Sequence, residues 1–473
     1  MSHATSEPDQ PVSIEDFRRA AHEAVEWVAR YLEEVRQYPV LPRLKPGELT
    51  ARLPRFAPEA PEPLETIARD FESEILPAVT HWNHPRFLAY FAISGSPPGI
   101  LAELLSAALN VNGMLWKTCP AATELEQVTL GWLRDWLGLD RAFFGIVYDT
   151  ASIGCLHALV AARHRICAEA RQQGHPAGLK VYCSEFAHSS IEKAAITAGF
   201  GQGNVRKIGA DAEYRMRPDD LERAIEEDRR AGCAPCCVVA TVGTTAVASV
   251  DPVDELAGIC ERHRAWLHVD AAYGGTAAIL PECRHILDGC DRADSMIVNP
   301  HKWLLTPVDF SAFYTRHPDV LRAAFSLTPE YLRTAEEAGA VNLMDYGVQL
   351  GRRFRALKLW FVMRAYGRQG LQQIVRTHCA LAQEFVSWLQ ADPRFELCAP
   401  VRFSLVCFRL RGPDAPNRRM LEEINSSGIA LLSHTVLNDR FVLRLAIGNF
   451  QTTRDDLRQV WLFLREFAET GGA

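Results

Sequence analysis

No run of about 18 consecutive apolar residues occurs in the chain, so no membrane-spanning helix is expected. Basic residues are not in excess. The formal net charge is -7, which removes the electrostatic case for nucleic acid or an anionic membrane surface as partner. The opening MSHATSEPDQPVSIEDF is polar and acidic and lacks the apolar core of a secretory signal, so a cytoplasmic location is expected. Internal repeats and low-complexity segments are absent too. Metal-site spacing is also missing. Among 13 cysteines, Cys233 and Cys236 form a single C-x-x-C. No second pair and no His-x-x-x-His follows, so no metal is expected. Cys236 and Cys237 instead open the apolar run CCVVATV, which reads as a buried strand using thiols as small hydrophobes.

The 473 residues, 48% of them hydrophobic and 23% charged, suffice for two or three domains with a large core. Residues 14–37 read as an amphipathic helix, with Phe17, Ala21, Val25, Val28 and Leu32 at three- and four-residue intervals. A Pro-rich connector over 39–63 should be extended. Further helices are expected over 64–76 and 98–109. This segment, residues 1–110, carries too little apolar surface to close a core of its own. It packs either on the rest of its chain or around a second subunit, and spacing alone leaves both open.

Between about 120 and 320 short apolar strands alternate with helices. Strands are expected at 143–148, 180–184, 205–209, 237–242, 266–270, 295–299 and 311–315. Helices are expected at 152–171, 188–199, 218–230 and 253–264. This pattern predicts an α/β domain, residues 111–370, with a mainly parallel central sheet covered by helices on both faces. Ligands of such sheets bind at the C-terminal strand ends. Residues 349–366 read as one long helix leaving that domain. A small α+β domain, residues 371–473, follows, with helices near 374–390 and 453–468 and strands near 402–410 and 440–447.

Four strand ends carry the chemistry. Asn299-Pro300-His301-Lys302-Trp303 follows the strand SMIV. A lysine partly desolvated there has a lowered pKa and a free amine suited to Schiff-base formation. A plain surface lysine is the commoner reading of such a segment taken alone. Asp270 ends the strand WLHVD in the run His268-Val269-Asp270-Ala271-Ala272-Tyr273-Gly274-Gly275. It suits either a helix or turn cap or a partner for the pyridine nitrogen of pyridoxal phosphate, which keeps that ring an electron sink. Ala272 is small enough for a flat ring to lie against. Thr150-Ala151-Ser152 opens a helix, where backbone N–H groups and hydroxyls can hold a phosphate or merely cap. His188, after KVYCS, could stack on a cofactor ring or be an ordinary polar residue at a strand end.

In combination these segments resemble the aromatic-L-amino-acid decarboxylase family, the group II pyridoxal-dependent decarboxylases of aminotransferase fold type I. The likeness runs through Phe17-Arg18, Thr80-His81-Trp82, Leu88-Ala89-Tyr90-Phe91, Thr123-Glu124-Leu125-Glu126 and His188-Ser189-Ser190. It continues through Val242-Gly243-Thr244-Thr245, the Asp270 and Lys302 segments, Leu350-Gly351-Arg352-Arg353-Phe354-Arg355 and Phe441-Val442-Leu443-Arg444.

The resemblance implies a homodimer whose N-terminal helices exchange between subunits, and pyridoxal 5'-phosphate carried on Lys302. It implies that Asp270 pairs with the ring nitrogen, and that His188 and Ala272 cover the two ring faces. Thr150, Ala151, Ser152 and Asn299 would hold the phosphate, with Thr241 and His301 lining the pocket. Tyr331, in Leu327-Thr328-Pro329-Glu330-Tyr331-Leu332, matches the family's loop tyrosine that protonates the substrate carbon. A Phe there marks relatives that make aldehydes. Trp82, Tyr90, Phe91, Met114 and Gly351 match the side-chain pocket. Gly351 favours larger aromatic substrates, tryptophan slightly ahead of dihydroxyphenylalanine, phenylalanine or tyrosine. The implied activity is decarboxylation of an aromatic L-amino acid to amine and CO2. The alternatives are an acidic substrate (glutamate or cysteine sulfinate), with Lys117 as its cation, and aldehyde synthesis. The chain departs from the family pattern at Ala92-Ile93 (commonly Pro-Thr), Met114 (commonly Phe), Asp149 (commonly Gly) and Ile153 (commonly Glu).

Overall fold

The computed structural model describes residues 12–174, 176–327 and 339–470. Its main sheet has seven strands: β1 (Phe144–Tyr148), β2 (Leu179–Ser184), β3 (Val205–Ile208), β4 (Ala234–Thr241), β5 (Trp266–Asp270), β6 (Ser295–Val298) and β7 (Ser311–Thr315). Their spatial order is β1-β7-β6-β5-β4-β2-β3. The pairings from β3 through β2, β4 and β5 to β6 are parallel. β7 runs antiparallel to both β6 and β1. These are the seven strands expected from the sequence, with small shifts at their ends.

Every residue of β5 and β6 is buried, which is why both read as unbroken apolar runs. One sheet face packs Trp266 and Ile297 against the helix Ala151–Ile166 through Cys155, Ala158 and Ala162. The other face buries Leu267, Val269 and Met296 with Leu256 and Ile259 of the helix Val253–His263. Gly154 permits the first contact: a Cβ there would lie 2.1 Å from Ile297 Cδ1. Close packing of that helix carries its N-terminus to the C-terminal strand ends. A second close approach joins the loops after β4 and β5. A Cβ on Gly274 would meet the Val242 carbonyl oxygen at 2.6 Å, and Gly243 has φ 92°.

The C-terminal sheet holds β8 (Phe395–Leu397), β9 (Leu405–Leu410), β10 (Ser433–Leu437) and β11 (Arg440–Ala446) in the order β10-β11-β9-β8. All its pairings are antiparallel. β8 and β10 were not expected. β8 is three residues long, and β10 alternates buried and exposed positions at an edge. Helix Arg454–Glu469 starts on a capping box between Thr453 and Asp456.

The expected helix over 349–366 is wrong in its first turns. The helix is Ala356–Ala391, bent at Gly367 (φ 63°, ψ 172°), and residues 349–355 are not helical. Arg352 is buried there, donating to Glu126 Oε1 at 2.9 Å and to the Val147 carbonyl at 2.7 Å. Arg355 pairs with Asp309 at 3.0 Å. A buried charge without a partner is strongly destabilising, so the backbone follows these partners rather than helical register. The connector over 39–63 contains a helical turn, Glu48–Arg52, entered through Gly47 at φ 91°. The helix expected over 152–171 stops at Ile166, and the one expected over 188–199 is Ser190–Thr197, which leaves His188 outside.

Helix Ile14–Glu34 has no buried residue. Trp27 packs on Phe71, and Tyr31 Oη meets His81 Nδ1 at 2.9 Å. Ile14, Phe17 and Val25 face solvent, as do Leu101, Leu104, Leu105 and Leu109 of the helix Pro97–Leu109. Among the described residues no helix is long and apolar enough to cross a membrane.

Candidate active site

Parallel strands β4, β5 and β6 end side by side, and Thr241 of β4 is in register with Asp270 of β5. Asp270 is buried and accepts the Ala272 backbone N–H at 3.1 Å. After β6 the chain makes one helical turn, Pro300–Trp303, that carries Lys302. Burial lowers the pKa of the Lys302 amine, and the nearby Asp270 carboxylate works against that shift. The amine also lies 5.6 Å from the centroid of the Phe91 ring. A lysine held this way gives up its proton more readily than an exposed one, which favours a nucleophilic amine.

The Lys302 turn is fixed from both sides. Asn299 donates its backbone N–H to Ala272 at 3.1 Å, and its Oδ1 accepts the Ser311 hydroxyl at 2.7 Å. His301 is buried, and its Nδ1 accepts the Phe310 backbone N–H at 2.9 Å. Burial pushes its pKa down to about 3, so the ring is neutral. Phe91, Tyr273 and Trp303 form a stacked pile with centroid spacings of 3.7 and 4.9 Å.

Thr241 Oγ1 is buried and has no hydrogen-bond partner among the described residues. Thr150 is the N-cap of helix Ala151–Ile166 but makes no side-chain cap bond. Its N–H donates to Asp149 Oδ1 at 2.5 Å, while Gln349 donates to Asp149 Oδ2 at 3.2 Å. The Asp149 carboxylate, standing where the family commonly has Gly, is therefore held by its own neighbours. His188 sits in the turn after β2, where its Nδ1 accepts the Ser190 N–H at 3.1 Å. Partial burial lowers its pKa, as do Lys302 and Lys193, while Asp270 opposes them. His188, Lys302 and Asp270 thus lie within one another's electrostatic reach.

This donor set fits pyridoxal phosphate. An amine is available for the aldehyde and a buried acid for the ring nitrogen. An unpartnered hydroxyl and the open start of a long helix are available for the anionic end.

The expected substrate wall divides. Phe91 is buried. Trp82 and Tyr90 are exposed, and Trp82 stacks on Phe87 at 4.2 Å. Met114 packs with Leu115 and Met344. Gly351 is exposed beside Asn112 Nδ2, and Lys117 also faces solvent. Tyr331 lies outside the described residues. In the sequence Arg444 stands out only as the end of the motif Phe441-Val442-Leu443-Arg444. Its guanidinium is buried 5.5 Å from the Phe91 ring and donates to Ser433 Oγ at 2.7 Å and to the Ala246 carbonyl at 3.0 Å; among the described residues its Nη2 has no partner. A buried arginine within an apolar strand was the available signal.

Residues 46–411 match the model of the pyridoxal-dependent decarboxylase conserved domain. The chain is 42% identical to the aromatic-L-amino-acid decarboxylase of Cavia porcellus, covering 97% of this chain and 98% of that protein. The crystal structure of Oryza sativa TDC with PLP and tryptamine superposes with a TM-score of 0.94 at 38% identity, covering 98% of this chain and 99% of that one. The structure of Rhodiola rosea 4-hydroxyphenylacetaldehyde synthase gives 0.91 at 36% identity, with the same coverage.

Proposed function

Because this chain belongs to the pyridoxal-dependent decarboxylase family, we propose that it removes the α-carboxylate of an aromatic L-amino acid as CO2 and releases the amine. The observation that carries this is the placement of the buried Asp270 at the end of β5 and of Lys302 on the turn directly after the neighbouring parallel strand β6. Support for an aromatic substrate comes from the stacked Phe91 and the neighbouring Trp82 and Tyr90. It also comes from the names of relatives that act on such amino acids.

Bound pyridoxal phosphate supplies a cationic ring that accepts the electron pair left as CO2 departs. In this reading Lys302 would anchor it and Asp270 would keep its ring nitrogen charged. His188 and Ala272 would stand on either side of it. Thr150, Ala151, Ser152 and Asn299 would hold its phosphate, with Thr241 and His301 lining the pocket. The Phe91 face, fixed by its stack on Tyr273, orients the substrate side chain and excludes water from one side of the reacting carbon. Tyr331 delivers the proton that replaces CO2 at Cα.

The same reading makes the protein a homodimer. Ile14, Phe17 and Val25 on the first helix and Leu101, Leu104, Leu105 and Leu109 on Pro97–Leu109 are exposed apolar side chains that a second subunit would cover. The division at residues 110 and 370 goes with that proposal, the first segment being the exchanged one. Thirteen free thiols support a reducing, cytoplasmic setting.

The test is incubation of the protein and pyridoxal phosphate with tryptophan, dihydroxyphenylalanine, phenylalanine, tyrosine and glutamate, reading CO2, amine and peroxide. Amine and CO2 in equal amounts from an aromatic substrate support the proposal. Turnover of glutamate alone, or no CO2 from any of them, overturns it.

A further inference from the structure

Asp149 and Thr150 form the joint between β1 and the helix Ala151–Ile166. A helix start presents unbonded backbone N–H groups and the positive end of the helix dipole, which together attract an anion. In this chain a carboxylate already stands there. Asp149 Oδ1 accepts the Thr150 backbone N–H at 2.5 Å and the Thr150 hydroxyl at 3.2 Å. That hydroxyl makes no cap bond to its own helix, so both Thr150 donors are committed to Asp149. The other carboxylate oxygen, Oδ2, accepts the Gln349 side-chain amide at 3.2 Å. All of these donors are neutral, so none of them cancels the charge of the acid. Asp149 also sits beside Asn299: Ser311 Oγ lies 3.4 Å from the Asp149 carbonyl oxygen and 2.7 Å from Asn299 Oδ1. Thr150 and Asn299 are both among the residues expected to hold the phosphate. The acid therefore borders the expected phosphate position, where the family commonly has a glycine with no side chain at all.

We propose that Asp149 competes with the cofactor phosphate for Thr150 and so sets how tightly this chain holds its cofactor. To bind, the phosphate must take the Thr150 N–H and hydroxyl from the carboxylate, which then rests on Gln349 alone. The first-turn N–H groups of Ala151 and Ser152 stay available to the phosphate, so the carboxylate weakens binding without abolishing it. Two negative groups brought close together add to the cost. The consequence is a cofactor that leaves and re-enters more readily than in a chain with glycine at this place. The inference deepens the proposed function and rests on it, because it needs a phosphate at this helix start. Asp149 acts here on cofactor affinity, not on the chemical step.

The experiment titrates full-length apo-protein with pyridoxal phosphate and, separately, with pyridoxal, which has the same ring and aldehyde but no phosphate. Quenching of tryptophan fluorescence gives the dissociation constants for wild type, Asp149→Asn and Asp149→Gly. Asp149→Asn keeps the shape of the side chain and removes its charge. It is expected to bind pyridoxal phosphate about tenfold more tightly than wild type, the size of one hydrogen bond to a charged group, with its affinity for pyridoxal unchanged. Asp149→Gly is expected to shift in the same direction, and it decides the question if Asp149→Asn does not fold. Wild-type or weaker affinity for pyridoxal phosphate in both variants overturns the competition and leaves the proposed function standing. An equal gain for pyridoxal and pyridoxal phosphate overturns it as well, because the carboxylate then does not act on the phosphate. No binding of pyridoxal phosphate by wild type or either variant overturns the proposed function too.

Discussion

Trp303 donates its indole N–H to His378 Nδ1 at 2.8 Å, and His378 Nε2 lies 3.0 Å from the Asn449 carbonyl. The pair ties the helical turn of Lys302 to the long helix Ala356–Ala391 and to the loop after β11. Both side chains are buried. Replacing His378 by Leu leaves the indole N–H buried without an acceptor, which costs about 1–3 kcal/mol. The expected outcome is a lower urea midpoint of unfolding at an unchanged slope. A midpoint equal to wild type contradicts it.

Phe91 and Tyr90 are neighbours in sequence with opposite expected phenotypes. Phe91 is buried on Tyr273, so Phe91→Ala opens a cavity worth about 3–5 kcal/mol. Tyr90 is 55% exposed, so Tyr90→Ala is expected to change stability by under about 0.5 kcal/mol while raising KM for aromatic substrates. Melting curves and steady-state kinetics on the two variants separate these effects.

Acid should destabilise the fold. Burial holds His84, His268 and His378 at about 4, and His157 and His301 at about 3, against 6.5 for an exposed histidine. A pKa lowered in the folded state means that the unfolded chain takes up protons first. The contribution of these groups is complete above about pH 6.5 and is lost as pH falls toward 4 and below. Asp251, raised by burial to about 6, works in the opposite direction, but it is one group against five. Stability measured by urea at pH 5 is expected to be lower than at pH 7.5. A flat profile across that interval contradicts the assignment.

Much of this was legible in the sequence, for a specific reason. β5 and β6 are buried at every position, so both read as apolar runs, and those runs stop at the polar residues Asp270 and Asn299 although burial continues past them. Local pattern therefore located the two residues on which the proposal depends. What was missed depends on contacts distant in sequence. Arg352 finds Glu126 across more than two hundred residues, and that contact, invisible to periodicity, unmakes an otherwise convincing helical stretch. Edge strand β10, with its exposed alternate positions, gave no apolar run to read.

Tyr331→Phe removes the proposed proton donor. The expected product is less amine, with aldehyde and peroxide appearing in oxygenated buffer at the expense of amine. Chromatography of products from one substrate with and without oxygen checks this. Unchanged amine yield contradicts the role of Tyr331.

The account as a whole depends on Lys302 being the residue that anchors the cofactor. The most direct measurement is borohydride reduction of the protein loaded with pyridoxal phosphate, followed by peptide mass mapping. The expected result is a single pyridoxyl label on Lys302, absent from Lys302→Ala. A label confined to another lysine, such as Lys117 or Lys358, or no label at all, contradicts the account.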